Sequence, residues 1–191
     1  TFKGVAIMSL IQWFEFNFNR IPSNSLSFFN YYESKPIAID KTFEIRLKRI
    51  GDISFSLVLM IILLPIMLLL IFLIKAEDGG PIFYSQMRTG FKYTPFKLWK
   101  FRSMRENSEK SGPQWAKAND KRVTKIGFIM RKTRLDEMPQ LFNVLRGDMS
   151  LIGPRPERLE IDVKLTENIN LYQERYTIRP GLSGWAQVNY P

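Results

Sequence analysis

The hydrophobic and polar positions of this chain fall into three stretches. Residues 1–40 are crowded with aromatic side chains in no sustained period, among them Trp13, Phe14, Phe16, Phe18, Phe28 and Phe29. Within them Gly4–Met8 reads as a strand, Leu10–Phe18 as a helix and Ile21–Ser25 as a turn. The second stretch is Ile53–Ile74, 22 residues without a charge. As a continuous helix it would be about 33 Å long at ~1.5 Å per residue, enough to cross a bilayer core. Phe43, Leu47 and Ile50 recur at helical spacing just before it, among Lys41, Arg46, Lys48 and Arg49. That pattern predicts a basic helix lying on lipid headgroups.

From Lys75 onward the apolar runs are short. Ile82–Gln86 and Phe96–Phe101 predict two strands joined by a loop holding Gly90. Arg105–Ala118 is polar and predicts a loop. Ile126–Lys132 predicts a helix. Leu135, Met138, Leu141, Phe142 and Leu145 predict an amphipathic helix ending near Gly147. Ile161, Leu165, Ile169, Tyr172 and Tyr176 mark another such face, turned to the core or to a membrane surface. The fold class read from this order is α+β: a small mixed unit with amphipathic helices, carried on a membrane helix.

Pro65 falls near the centre of the apolar run. Proline removes an intrahelical hydrogen bond and clashes with the preceding turn. Basic residues dominate on both flanks, and basic flanks favour the cytoplasmic side. A helix that enters, breaks at Pro65 and returns to the same face reconciles these signs. A straight span with a kink is the alternative.

Composition narrows the chemistry. Lys and Arg number 28 against 18 Asp and Glu, a formal charge of +10. Such an excess points to nucleic acid, phosphorylated small molecules or an anionic membrane surface. There is no Cys and no His. Thiolate nucleophiles, disulfides, Ser-His triads and His- or Cys-bound zinc are therefore excluded. Chemistry must rest on carboxylates, Lys, Arg, Tyr and hydroxyls, and a metal would be a hard one held by oxygen, Mg²⁺ by default near phosphates.

Asp136 and Glu137 stand side by side behind Arg131, Lys132 and Arg134. Acids at a helix start are favoured by the helix dipole alone. Positive neighbours also keep carboxylates ionised, and an ionised carboxylate can attack phosphorus. Strand alternation puts Lys100 and Arg102 on one face and Phe101 on the other. Arg155 lies between Pro154 and Pro156, which stiffen the backbone behind a guanidinium suited to gripping phosphate. Arg179–Asn189 is turn-rich, with Trp185 either stacking on a base or packed in the core, and with amides such as Gln187 able to read a base edge.

Six motifs in order, from Lys48-Arg-Ile-Gly-Asp52 through Gly80–Tyr84, Phe96–Met104, Arg131–Gln140 and Leu145–Glu157 to Arg179–Asn189, resemble the bacterial sugar transferases, polyprenyl-phosphate phosphoglycosyltransferases of the exopolysaccharide type. The resemblance implies transfer of a sugar-1-phosphate from a nucleotide diphosphate sugar, usually a UDP-sugar, to undecaprenyl phosphate with release of UMP. It implies Asp136 as the nucleophile and Glu137 as a Mg²⁺ (or Mn²⁺) ligand. Lys100, Arg131 and Arg155 match the family's basic residues, and Arg102, Arg179 and Gln187 join them as phosphate or nucleotide candidates. It implies a helix that re-enters rather than spans, with the catalytic unit on the cytoplasmic face of the bacterial inner membrane. Residues 1–40 then read as the tail of a missing N-terminal domain plus linker, and 41–191 as a C-terminally truncated catalytic domain. The expected partners are the two substrates and cytoplasmic-face lipids, without nucleic acid; a homo-oligomer is compatible with this reading. One rival is a membrane-anchored basic binding module without catalysis. Another is a lipid-phosphate phosphatase.

Overall fold

The structure, a computed structural model, describes Asn17, residues 42–106, Ser108 and residues 120–189. The strand expected at Gly4–Met8, the turn at Ile21–Ser25 and most of the loop Arg105–Ala118 lie outside the described residues, as does the boundary near residue 40. Of the helix expected at Leu10–Phe18 only Asn17 is described, and it is helical.

The apolar run belongs to helix α1, Thr42–Asp78, 37 residues long. It takes in both the basic segment Phe43–Ile50 and all of Ile53–Ile74, which the sequence pattern separates. Pro65 lies inside it and does not divide it into two elements. One proline removes one donor from the ladder, and the strong helix formers around it carry the helix past. Asp52, Ser56, Met67, Leu70 and Ile74 are its buried residues and form a single stripe at helical spacing. Phe55, Ile61, Ile62, Leu68 and Phe72 on the other faces stay exposed. An apolar surface of that extent is costly in water and suits lipid. By length and composition α1 can cross a membrane.

The stripe builds the core. Met67, Leu70 and Ile74 pack with Phe101, Met130 and Met138. A second cluster joins Phe96, Leu98, Val144 and Met149. Strands β1, Phe83–Thr89, and β2, Pro95–Phe101, form an antiparallel hairpin in register from Phe83↔Phe101 to Thr89↔Pro95. Helix α2 spans Lys125–Thr133, close to its expected limits. The helix expected over Leu135–Leu145 is instead a 3-10 turn, Leu135–Glu137, followed by α3, Gln140–Arg146. Gly147 closes α3 at φ 101°, a conformation that favours glycine.

Strands β3, Ser150–Ile152, and β4, Gly181–Ser183, pair in parallel. Three-residue strands flanked by Gly and Pro carry no alternation for a sequence reading to find. Helix α4, Leu159–Asn168, ends before a 3-10 turn, Tyr172–Thr177. The long face expected from Ile161 to Tyr176 is thus split at Leu171, whose φ is 59°. Of its members only Tyr176 is buried. Helix α5, Trp185–Asn189, was also not expected. The architecture is α+β.

Both ends of α1 are tied to this one unit. At the N-terminal end Arg49 donates to the Val144 and Leu145 carbonyls at 2.6 and 2.8 Å, completing the C-terminus of α3. Asp52 accepts from Ser150 Oγ and Leu151 N, each at 3.2 Å. At the other end Glu77 accepts from the backbone amides of Lys125 and Ile126 at 2.7 and 3.3 Å, capping α2. Asp78 pairs with Arg102.

Candidate active site

The acidic turn is placed by contacts on either side. Thr124 opens α2 by accepting from Gly127 N at 2.9 Å. A Cβ at Gly127 would collide with the Ser103 carbonyl, so only glycine lets α2 approach the segment after β2. That approach lets Arg131 Nε donate to Ser103 Oγ at 3.0 Å. Arg134 ends α2 in the left-handed region at φ 60° and turns the chain into Leu135–Glu137. Beyond it, buried Asn143 fastens α3 to β2. Its Oδ1 accepts from Trp99 N at 3.2 Å, and its Nδ2 donates to the Lys97 carbonyl at 2.8 Å.

These contacts bring three of the expected residues together. Lys100 Nζ donates to Glu137 Oε1 at 2.7 Å, and Arg155 Nη2 donates to the same oxygen at 3.0 Å. Asp136 and Glu137 are 7% and 8% exposed. Burial pushes the Glu137 carboxyl up, but the charges and hydrogen bonds of Lys100 and Arg155 outweigh it and hold the group down at about 2. Asp136 goes the other way: burial and the Glu137 charge raise it against the pull of Lys100 and Arg131. The positive neighbours thus outweigh burial at Glu137, while at Asp136 burial outweighs them. Burial also lowers Lys100, opposed by the Glu137 charge.

The loop that presents Arg155 is gripped from behind. Arg175 donates to the Arg155 carbonyl, and Arg88 Nη1 donates to the Pro156 carbonyl at 3.2 Å. The Arg175 guanidinium lies 4.6 Å from the Tyr172 ring centroid. Arg88, Asn143 and Arg175 were not found by the sequence reading, because their roles depend on partners distant in sequence. Asp52 lies in a motif that was noted, but its anchoring role was not.

Other expected site residues lie elsewhere. Arg102 follows the last residue of β2, so strand alternation does not carry it to the side of Lys100. It is buried against Asp78, and among the described residues its Nε and Nη1 have no partner. Arg179 Nε donates to the Gly147 carbonyl at 3.0 Å, and its guanidinium lies 5.4 Å from the Phe91 ring centroid, so it clasps two loops together. Gln187 borders a cleft of about 330 Å³ also lined by Glu137 and Arg155. Trp185 is 63% exposed, which rules out the core reading.

Among the described residues no three acidic side chains gather at one point. Asp136 and Glu137 supply adjacent oxygen donors. That set fits Mg²⁺, which binds through one or two carboxylates and completes its shell with water and substrate phosphate.

Residues 43–191 match the family model described as bacterial sugar transferase. The chain is 47% identical over 142 residues to UDP-N-acetylgalactosamine-undecaprenyl-phosphate N-acetylgalactosaminephosphotransferase of Aeromonas hydrophila, covering 74% of this chain and 34% of the relative. A Bacillus subtilis (strain 168) protein, provisionally named undecaprenyl-phosphate N-acetylgalactosaminyl 1-phosphate transferase, is 50% identical over 129 residues, 68% of this chain and 72% of that one. UDP-glucose:undecaprenyl-phosphate glucose-1-phosphate transferase of Escherichia coli (strain K12) is 38% identical over 143 residues, 75% of this chain and 31% of the relative. The chain thus spans about a third of the Aeromonas and Escherichia relatives. With the family match running from the start of α1 to the end of the chain, this protein belongs to the bacterial sugar transferase family.

Proposed function

We propose that this chain is the catalytic part of an enzyme that transfers a sugar-1-phosphate from a UDP-sugar to undecaprenyl phosphate, through a phospho-sugar held covalently on Asp136. The observation that carries the reading is the buried dyad with Lys100 and Arg155 converging on one oxygen of Glu137. The relatives' names supply the substrate classes.

An Asp136 carboxylate oxygen attacks the phosphorus that bears the sugar. The bond from that phosphorus to the bridging oxygen breaks, and UMP leaves with the oxygen and its electron pair. An oxygen of the lipid phosphate then attacks the same phosphorus. The bond to Asp136 breaks, the carboxylate is regenerated, and a lipid-diphosphate-sugar departs. Raising the pKa of Asp136 by burial makes its anion a stronger nucleophile than a solvated carboxylate. Lys100 and Arg155 are satisfied by Glu137 until a diphosphate of higher charge competes for them, so they neutralise the leaving group without standing unpaired beforehand. Arg131, fixed by Ser103, adds positive potential at Asp136. Mg²⁺ or Mn²⁺, held by Glu137, would supply further neutralisation of the diphosphate.

The two anchored ends of α1 support a topology in which the helix dips into the cytoplasmic face of the inner membrane and returns. A spanning helix would have to release one set of these contacts. Such an enzyme would make the first lipid-linked intermediate of a surface polysaccharide or exopolysaccharide.

Incubation of the full-length protein with UDP-sugars, undecaprenyl phosphate and Mg²⁺ should release UMP, and intact mass with donor alone should show a phospho-sugar adduct. Release of inorganic phosphate instead would establish a phosphatase, and binding without turnover would establish the binding module. Excess chelator should abolish turnover; full activity in chelator would refute the metal requirement. For topology, cysteines introduced at Arg46 and Lys132 should resist an impermeant thiol reagent in intact spheroplasts. Labelling of either one there would overturn the re-entrant arrangement.

A further inference from the structure

The cleft beside Glu137 has two unlike walls. One is apolar and includes Leu59 and Leu63 of α1; the other carries Arg134, Ser183 and Gln187. Leu59 and Leu63 belong to the charge-free run and continue the stripe from Ser56 to Met67. The cleft therefore opens alongside the segment best suited to lipid.

The polar wall has unused capacity. Arg134 is exposed, and among the described residues no ion pair engages its guanidinium. Its left-handed backbone, φ 60°, is a helix-ending conformation that glycine or asparagine takes more easily. An arginine there sets a long cation at the rim of the cleft. Gln187 Nε2 donates to the Leu182 carbonyl at 3.2 Å, while its Oε1 is buried without a partner among the described residues. A phosphate monoester keeps an O–H part of the time near neutrality, since its second pKa is about 6. That is the donor Gln187 lacks.

A nucleotide sugar is water-soluble and gains nothing from leucines of the membrane segment. A prenyl phosphate matches both walls, with an apolar chain and an anionic head. We infer that this cleft is the acceptor site, with the first isoprene units against Leu59 and Leu63 and the phosphate met by Arg134 and Gln187. The inference rests on the proposed reaction and assigns one of its two substrates to a wall of the site.

The test uses the full-length protein in detergent micelles and a prenyl monophosphate bearing a diazirine on its first isoprene unit. Photolysis should label the α1 peptide containing Leu59 and Leu63. Unlabelled prenyl phosphate should compete, while the prenyl alcohol of equal length should not. Arg134→Ala should weaken competition about tenfold, the loss of one charge-assisted contact, and raise acceptor KM more than donor KM. Arg134→Lys should recover part of this. Labelling elsewhere, equal competition by the alcohol, or an unchanged Arg134→Ala variant would each overturn the assignment. Photolabelling needs no turnover. Specific labelling without UMP release would therefore sink the reaction and keep the site, and UMP release with labelling elsewhere would do the reverse.

Discussion

Charged side chains at the ends of α1 and charged side chains around the acidic turn are of the same kinds but are used differently. At the ends of α1 several finish on backbone, although Asp78 there pairs with Arg102. Arg49 takes two carbonyls of α3, Glu77 takes two amides of α2, and Asp52 takes the amide of Leu151. Each satisfies a backbone group of a helix end or strand that would otherwise lack that partner. Around Glu137 the charges finish on one another, with Lys100 and Arg155 sharing one carboxylate oxygen. A backbone partner cannot leave. A side-chain partner can be exchanged for substrate. On the proposed reaction, the first set serves stability and the second serves chemistry.

The sharpest way to break this distinction is Asp136→Asn. It keeps the shape and removes the attacking anion, so turnover should fall by about 10⁴-fold or more, the scale seen when an essential member of a catalytic unit is lost. The thermal unfolding midpoint should not fall, because the substitution removes a buried charge. An active Asp136→Asn enzyme would sink the nucleophile assignment. Arg155→Lys comes next. The charge stays but the fork geometry goes, and kcat/KM should drop roughly 10- to 100-fold. Normal kinetics would make Arg155 a surface charge. Asp52→Ala tests the other region. It should cost about 1–3 kcal/mol of stability, read as a lower unfolding midpoint, while kcat per folded molecule holds. A loss of kcat without a loss of stability would merge the two regions.

The candidate cluster was more legible in the sequence than the fold. Asp136, Glu137, Lys100 and Arg155 could be read because adjacent acids among cations, and an arginine between prolines, are local patterns. Arg102 and Arg179 share that local look but sit against Asp78 and the Gly147 carbonyl. Only tertiary packing decides which arginines face the dyad. The parallel pair β3 and β4 was hidden for a related reason: its strands are short, and their partner lies some thirty residues away. Pro65 is a different case: the helix is assigned as one element that runs past it.

The smallest predicted effect concerns pH and isolates Glu137. Its carboxyl is held at about 2, against an ordinary value of 4.5, by Lys100 and Arg155 acting over the opposing effect of burial. A group depressed in the folded state stabilises the fold above its unfolded pKa, and that contribution is lost as pH falls through the folded value. Glu137 should therefore stabilise the fold fully above pH 4.5 and progressively less toward about pH 2. Asp136 faces the same cluster with its pKa displaced upward, so it cannot mimic this window from below. The comparison is wild type against Glu137→Gln in excess chelator, with unfolding midpoints measured from pH 7 down to pH 2. The wild-type advantage should be constant above about pH 5 and shrink below it. An advantage that survives unchanged to the acid end would mean that Lys100 and Arg155 hold Glu137 by geometry and not by charge, and the exchange of partners proposed for the donor diphosphate would lose its basis.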